Sequence, residues 1–573
     1  MQYLRSHPYT LPRAPPGDRK LEPNLRTLSS AAIGKWLADD PLVDFLRDTA
    51  EFGAWLPYES TVSGWPRGSF ANRVPESHMA EVDRQIREEV KLGWLKTRPE
   101  VASAGIWANA PIQVSVEPTK IRRVVDYSNR NGNAYLGFNG LTRKEWLPEP
   151  TMASTRHLAA AVQVLKKAAG GNPPLLLVRD VSKAYRRFVV RPDQWETLRM
   201  VWGGEEIFDS RLPFGHAASA AYCCAMTTAI ARQLSWRMWG KAIFLAYVDD
   251  FVVVAHPAHT KEAGRLLHQC LTDIGLPIST SKKEEAGGWS TTATWIGFSH
   301  NTVTETHSLT SRRLMSLLDQ LKEAEEAPRN IEKWQKLIGG LAHVCTVFHA
   351  AKPQLRPLYN HMSAILTKRG ETPPRAVFHW WRNALQAMGR MAPMFRPPTR
   401  GDLAIVTDAS LTAGGWALYT NRDSALRVSM ESDLVATMSF RFRSAHTAGD
   451  MTLLEAHAVL RAVQVCAPMI KNKSVWVAVD NMALEYALRK GRSKSPRVNA
   501  VIARILLHAL RFGFRIFPLR IPSAQNVLAD RLSRTQEGSL DATLTKLQAT
   551  GRFKWGHAMV VPSGASLPKW RSF

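Results

Sequence analysis

Two rhythms of apolar and polar residues run along this chain. Between 76 and 95 the apolar positions Met79, Val82, Ile86, Val90 and Leu92 keep the spacing of one helix face, which predicts an amphipathic helix. Strand-like runs follow at 110–116 and 121–127, joined by a turn at Glu117-Pro118-Thr119. A helix is expected over 152–169, ended by Gly170-Gly171. Leu175-Leu176-Leu177-Val178 then reads as a buried strand delivering Arg179-Asp180, and Phe188-Val189-Val190 as an alternating one. The loop Arg211-Leu212-Pro213-Phe214-Gly215 opens a helix of small residues from 216 to about 240. Another helix is expected over 260–274, a short strand over 294–298, and helices from about 310 to 367.

Thr372-Pro373-Pro374 and Arg396-Pro397-Pro398 punctuate the chain, and a different order begins beyond them. A strand at 403–408 ends in Asp408, with a hairpin partner at 414–419. A helix over 451–467 carries Glu455, a strand at 474–479 leads into Asp480, a strand is expected at 514–521, and a short helix over 526–534 carries Asp530.

The stretch that organises the first half is residues 242–255. Two apolar runs rich in β-branched residues flank Tyr247-Val248-Asp249-Asp250, so a hairpin should turn at the acidic pair. Neighbouring carboxylates in a cleft repel each other. A divalent cation removes that conflict, and hard oxygen donors suit Mg²⁺.

Composition narrows the partners. The 573 residues hold 75 Lys plus Arg against 49 Asp plus Glu, a formal charge of +26, which calls for a polyanion such as nucleic acid. The five Cys show neither zinc spacing nor a disulfide framework, as expected in a reducing, intracellular compartment, cytoplasm or nucleus. No apolar run of about 18 residues predicts a membrane span, and the Pro- and Arg-rich start does not read as a secretory signal.

The ordered set Leu176-Leu177-Val178-Arg179-Asp180, Ala184-Tyr185, Leu212-Pro213-Phe214-Gly215 and Tyr247-Val248-Asp249-Asp250 resembles the palm motifs of reverse transcriptases. Arg122-Arg123-Val124-Val125-Asp126-Tyr127 resembles their fingers strand, and Trp295-Ile296-Gly297-Phe298 their primer grip. Thr407-Asp408-Ala409-Ser410, Val479-Asp480-Asn481 and 526–534 resemble RNase H. Phe378-His379-Trp380-Trp381, Thr407–Thr412 and Ser495-Pro496-Arg497-Val498-Asn499 look like DIRS-type, tyrosine-recombinase retrotransposons.

The resemblance implies an α+β multidomain chain: a right-hand polymerase of fingers, palm and thumb, then an α/β RNase H-like domain. Expected boundaries are an extension at 1–75, fingers and palm at 76–300, a thumb-like region at 301–370, a connection at 371–400, the RNase H-like domain at 401–540 and a basic tail at 541–573. It implies RNA-directed and DNA-directed DNA polymerase activity with RNase H. Its partners would be an RNA template, a DNA primer, an RNA–DNA hybrid and dNTPs, with oligomeric state left open. Two Mg²⁺ ions per site, with Mn²⁺ as the alternative, would be held by Asp180, Asp249 and Asp250 in one site and by Asp408, Glu455, Asp480 and Asp530 in the other. Lys120 and Arg122 would meet the triphosphate, Tyr185 the sugar, Phe214 and Gly215 the base pair, and Lys282 the leaving pyrophosphate. Many RNases H carry a His in the loop before the last acid; here that loop is Ile521-Pro522-Ser523-Ala524-Gln525, which leaves Gln525 or Asn526 as substitutes. The alternative reading is a catalytically inactive, domesticated relative that binds nucleic acid.

Overall fold

The computed structural model describes residues 19–58, 70–101, 108–117, 120–129, 137–279, 288–367, 375–388, 392–394, 398, 402–420, 433–442, 447–534 and 559–560. The chain divides into two compact units, Met1–Ile296 and Gly297–Phe573.

In the first unit, helix α1 (Glu76–Lys91) precedes a hairpin of β1 (Ile112–Glu117) and β2 (Lys120–Val125). Helix α2 (Thr155–Ala168) leads into β3 (Leu175–Asp180). Helix α3 (Ala217–Arg237) is followed by β4 (Ala242–Tyr247), β5 (Asp250–Ala255) and helix α4 (Thr260–Ile274). Strands β3, β5 and β4 form an antiparallel sheet in that spatial order. Phe244, Phe251 and Val253 join the main core on one face. Leu176, Leu245, Val252 and Val254 are buried on the other. Burial on both faces is why these strands read as unbroken apolar runs rather than alternating ones. Helix α3 is small-residued and buried almost all round, as a helix without a polar face must be. The His216 side chain caps its start by accepting from the Ala218 amide.

Two expectations change here. Phe188–Val190 is not a regular strand: a tight turn occupies Ala184–Arg187. The segment then divides its backbone bonds between two partners, Ala54 donating to the Val189 carbonyl and Val190 donating to that of Ser210. Residues 294–298 are not one strand either. A strand Thr292–Trp295 ends where the backbone turns through Ile296 (φ 44°) and Gly297 (φ 81°), and Phe298 opens a separate strand.

The second unit opens with an antiparallel pair of short strands, Phe298–Asn301 and Thr306–Leu309, and helices α5 (Ser311–Glu326), α6 (Ile331–Val347), α7 (Arg356–Leu366) and α8 (Arg375–Met388) follow. They precede strands β6 (Leu403–Ala409), β7 (Ala413–Thr420) and β8 (Asp433–Arg441), then helix α9 (Met451–Ile470). Strand β9 (Ser474–Val479), helices α10 (Met482–Lys490) and α11 (Pro496–Phe512), strand β10 (Arg515–Arg520) and helix α12 (Val527–Arg534) complete the unit. The sheet order is β10-β9-β6-β7-β8, extended by Met559–Val560. Strict alternation assigns its faces. Ile405, Trp416 and Leu418 pack with α9 and α11. Ala404, Val406, Ala417 and Tyr419 pack with Leu528, Ala529 and Leu532 of α12.

Helix α9 with its preceding turn, Ala448–Ile470, is long and apolar enough to cross a membrane, although sequence inspection found no such run. Most of it is buried inside the unit, against the sheet and α11.

Candidate active sites

The hairpin between β4 and β5 turns on Val248 and Asp249. Tyr247 pairs with Asp250, and on the other side of β5 Asp180 stands directly opposite Asp250. Val248 holds φ 55°, a left-handed conformation that disfavours a β-branched residue by about 1–3 kcal/mol. The paired strands on either side enforce it. Strand β3 thus ends, and the hairpin tip begins, beside one another: the Val181 amide donates to the Asp249 carbonyl at 3.1 Å. Asp180 and Asp249 line one cleft of about 960 Å³ with Arg122, Lys183, Tyr185 and Phe214.

Electrostatics follow from that enclosure. Burial raises the Asp249 carboxyl above its ordinary value, against the pull of Arg122. On α3, burial pushes the Cys224 thiol up to about 11, and Asp249 adds to the shift. Cys223 is raised well above the usual thiol range, chiefly by burial, with Asp249 and Asp180 among the lesser contributors.

The Tyr185 and Phe214 rings meet edge to face with centroids 5.0 Å apart. Gly215 is required where it stands. It holds φ 98°, and a Cβ there would lie 2.1 Å from the Val125 carbonyl oxygen. Asn139 fixes the same corner, donating to the Gly215 carbonyl at 2.8 Å and accepting from the Ala217 amide at 2.7 Å. Lys282 lies outside the described residues, as does the Lys120 side chain; the Lys120 backbone opens β2 opposite Glu117.

Sequence inspection missed the wall that α1 contributes. Glu81, Arg84, Glu88 and Glu89 line the cleft. Arg84 bonds to Glu81 and Glu88. Arg123 and Arg186 both bond to Glu89, and Arg186 also bonds to the buried Asp209. Burial works against ionisation of Glu89, yet Arg186 and Arg123 outweigh it and hold its carboxyl below the ordinary value. The i, i+3 and i+4 spacing of Glu81, Arg84 and Glu88 was the readable signal; the Asp209 link was not.

The second constellation sits at one end of the second unit's sheet. Strands β6 and β9 run parallel with Val406 beside Ala478. Two residues further on, Asp408 and Asp480 therefore emerge side by side. Glu455 comes from α9 and Asp530 from α12. Gly415, paired with Asp408, lets α12 lie flat on β7: a Cβ there would come within 2.5 Å of the Leu532 Cβ and 2.7 Å of the Ala529 carbonyl oxygen.

Each acid has a donor of its own. Ser533 donates to Asp408, Asn481 to Glu455 at 3.2 Å, Ser523 to Asp480 at 2.9 Å, and Arg534 to Asp530 at 2.8 Å. Burial pushes Asp408 up to about 6 and Glu455 to about 8; Asp480 adds to both, and Asp408 to Glu455. Asn526 is buried, donating to the Thr407 carbonyl at 3.0 Å, while Gln525 lies in an exposed turn.

Among the described residues no three His, Cys, Asp or Glu side chains are gathered closely enough to hold a metal ion. The donor chemistry nonetheless fits a hard divalent cation. The candidates are carboxylates alone, and a cation would relieve the repulsion that Asp480 adds to the burial raising Asp408 and Glu455.

One end of this mixed sheet thus carries acids from two adjacent strands and from two helices. Residues 399–508 match the family model of the RNase H-like domain found in reverse transcriptase. No curated protein matches the chain. Among solved structures, a foamy viral protease-reverse transcriptase dRH in complex with double-stranded DNA is similar at 14% identity, with a TM-score of 0.45, over 89% of this chain and 83% of that one. The foamy viral protease-reverse transcriptase with an RNA/DNA hybrid gives 15% identity and 0.45, over 88% of this chain and 64% of that one.

Proposed function

We propose that the chain is an RNA-directed and DNA-directed DNA polymerase joined to an RNase H. In this reading the first unit carries fingers and palm, the helices α5–α8 act as a thumb and connection, and the source is an intracellular retroelement most like the DIRS type. The observation that supports it is the cleft lined together by Asp180, Asp249, Arg122, Tyr185 and Phe214.

Each residue then has a task. Asp180 and Asp249, with Asp250 alongside, hold Mg²⁺, which when bound supplies charge stabilisation to the attacking and leaving oxygens. The primer 3′-OH attacks the α-phosphorus of a dNTP and pyrophosphate leaves. Arg122 offsets triphosphate charge. The Tyr185 ring, at the cleft beside Phe214, serves to exclude a 2′-OH from the sugar. Phe214, exposed at the cleft, packs on the nascent base pair, and Gly215 lets the chain approach closely. In the second unit Asp408, Glu455, Asp480 and Asp530 would hold divalent cations, which when bound would supply a more acidic water for attack on an RNA phosphodiester.

The test uses the full chain on a poly(rA) template with a DNA primer, Mg²⁺ and dTTP. Wild type should extend the primer and Asp249→Asn should not. On a labelled RNA–DNA hybrid, wild type should cut the RNA and Asp480→Asn should not. Primer extension by both proteins, or by neither, overturns the polymerase reading.

A further inference from the structure

We propose that Lys183 is a polyphosphate-binding residue of the first cleft, poised over Trp94 until the phosphates of an incoming nucleotide arrive. This rests on the polymerase reading for the identity of the nucleotide, and on the cleft itself for the site.

Arg84, Arg122, Arg123, Lys183 and Arg186 are cations that line the cleft. Arg84 is committed to Glu81 and Glu88, and Arg123 and Arg186 to Glu89 and Asp209. These arginines brace α1 against the rest of the unit, and a polyphosphate would have to break those pairs to use them. Lys183 differs. Among the described residues it forms no ion pair with a carboxylate, its side chain is exposed, and its ammonium lies 4.6 Å from the centroid of the Trp94 ring. Its charge reaches Glu89 only through space. A cation–π contact at an exposed site is worth about 0.5–1 kcal/mol, so a multiply charged anion displaces it readily.

The backbone holds Lys183 in place. Its φ and ψ are 52° and 45°, a left-handed conformation rare for a residue with a long side chain. The segment on either side is pinned. The Ser182 amide donates to the Pro277 carbonyl at 2.8 Å, and the Arg186 amide to the Lys183 carbonyl at 2.9 Å. Val181 and Ala184 are buried. The root of a lysine side chain is thereby fixed three positions after Asp180 and two before Tyr185. Asp180, Lys183 and Tyr185 line the same cleft, so a triphosphate whose sugar lies at Tyr185 and whose reacting phosphorus lies at Asp180 would come within the cleft that Lys183 lines. Lys suits the task because a flexible stem can leave the indole and follow the phosphates.

The experiment compares wild type with Lys183→Asn and Lys183→Arg. Asn tolerates the left-handed backbone, so the charge is removed without forcing a refolded turn; Arg restores the charge. Inorganic tripolyphosphate with Mg²⁺ is titrated into each full-length protein. Trp94 emission is followed and assigned by difference from Trp94→Phe. Wild type and Lys183→Arg should bind with a change in Trp94 emission, and Lys183→Asn on the order of tenfold more weakly. In primer extension, the KM for dTTP should rise by a similar factor in Lys183→Asn while kcat changes by less than about threefold. Equal tripolyphosphate affinity in wild type and Lys183→Asn overturns the proposal, whether or not the protein extends primers. Lys183-dependent binding without primer extension sinks the polymerase reading and leaves the phosphate site standing.

Discussion

Glu455→Gln should stabilise the second unit at neutral pH while abolishing RNA cleavage. Glu455 is buried on α9, where burial, with Asp480 and Asp408 adding, pushes its carboxyl from 4.5 to about 8. The folded chain therefore keeps this proton over a pH range in which the unfolded chain has lost it. The folded state is most favoured below about pH 4.5 and loses that advantage as pH rises toward 8. With those two values, linkage gives a loss of folding stability through Glu455 of about 3 kcal/mol at pH 7 relative to low pH, and close to zero at pH 4. Gln keeps an oxygen to accept from the Asn481 amide group, 3.2 Å away, and removes the charge. The assay is urea unfolding in EDTA, read by hydrogen exchange of the α9 and β9 amides so that the first unit does not contribute. The Gln variant should gain about 3 kcal/mol at pH 7 and nothing at pH 4. Millimolar Mg²⁺ at pH 7 should stabilise wild type and not the variant. A gain that is absent at pH 7, or equally large at pH 4, would falsify the account of Glu455 as a carboxyl kept protonated by its surroundings.

Three further outcomes are expected. Gly215→Ala adds a Cβ 2.1 Å from the Val125 carbonyl oxygen at φ 98°, so primer extension should be lost while hybrid cleavage persists; a variant that extends at wild-type rate refutes the close approach. Arg232→Met strands the Asp40 carboxylate, whose two oxygens Arg232 holds at 2.7 and 2.8 Å in the core; it should cost about 3–5 kcal/mol by urea unfolding, and adding Asp40→Leu should recover most of it. Tyr185→Val removes the ring packed on Phe214 at 5.0 Å and should reduce the preference for dTTP over UTP on the order of tenfold or more, measured as a ratio of kcat/KM.

The elements that could be read from sequence were those whose periodicity matched their burial. The helix expected over 260–274 is present as α4, Thr260–Ile274, and the hairpin around Asp249-Asp250 has Asp250 on the strand and Asp249 in the turn. The segment at Phe188–Val190 alternates as a strand should. Its neighbours Ala54 and Ser210 decided otherwise, taking its backbone groups one by one. Sequence distance hid the Glu89–Arg186–Asp209 network, whose members stand 97 and 23 positions apart. It also hid Asn139, which locks Gly215 from 76 positions away. Nothing in the run 137–141 distinguishes that asparagine from an ordinary turn residue.

The acids were legible for a topological reason. Adjacent strands bring their ends together, so carboxylates placed at strand ends gather without any further instruction. In the first unit Asp180 closes β3 opposite Asp250. In the second, the parallel register that sets Val406 beside Ala478 carries Asp408 and Asp480 to the same edge. What strand order cannot encode is the state of those acids. Ser533, Asn481, Ser523 and Arg534 each satisfy one of the four, and the donors come from three different segments. That arrangement offsets part of the burial that raises Asp408 and Glu455, since the Ser533 and Asn481 hydrogen bonds lower them. It also makes cation binding an exchange of partners, so affinity for Mg²⁺ should rise when a single donor is removed: Ser533→Ala frees the Asp408 oxygen and should tighten binding measured by calorimetry, whereas looser binding would mean that Ser533 orients Asp408 for the ion rather than competing with it.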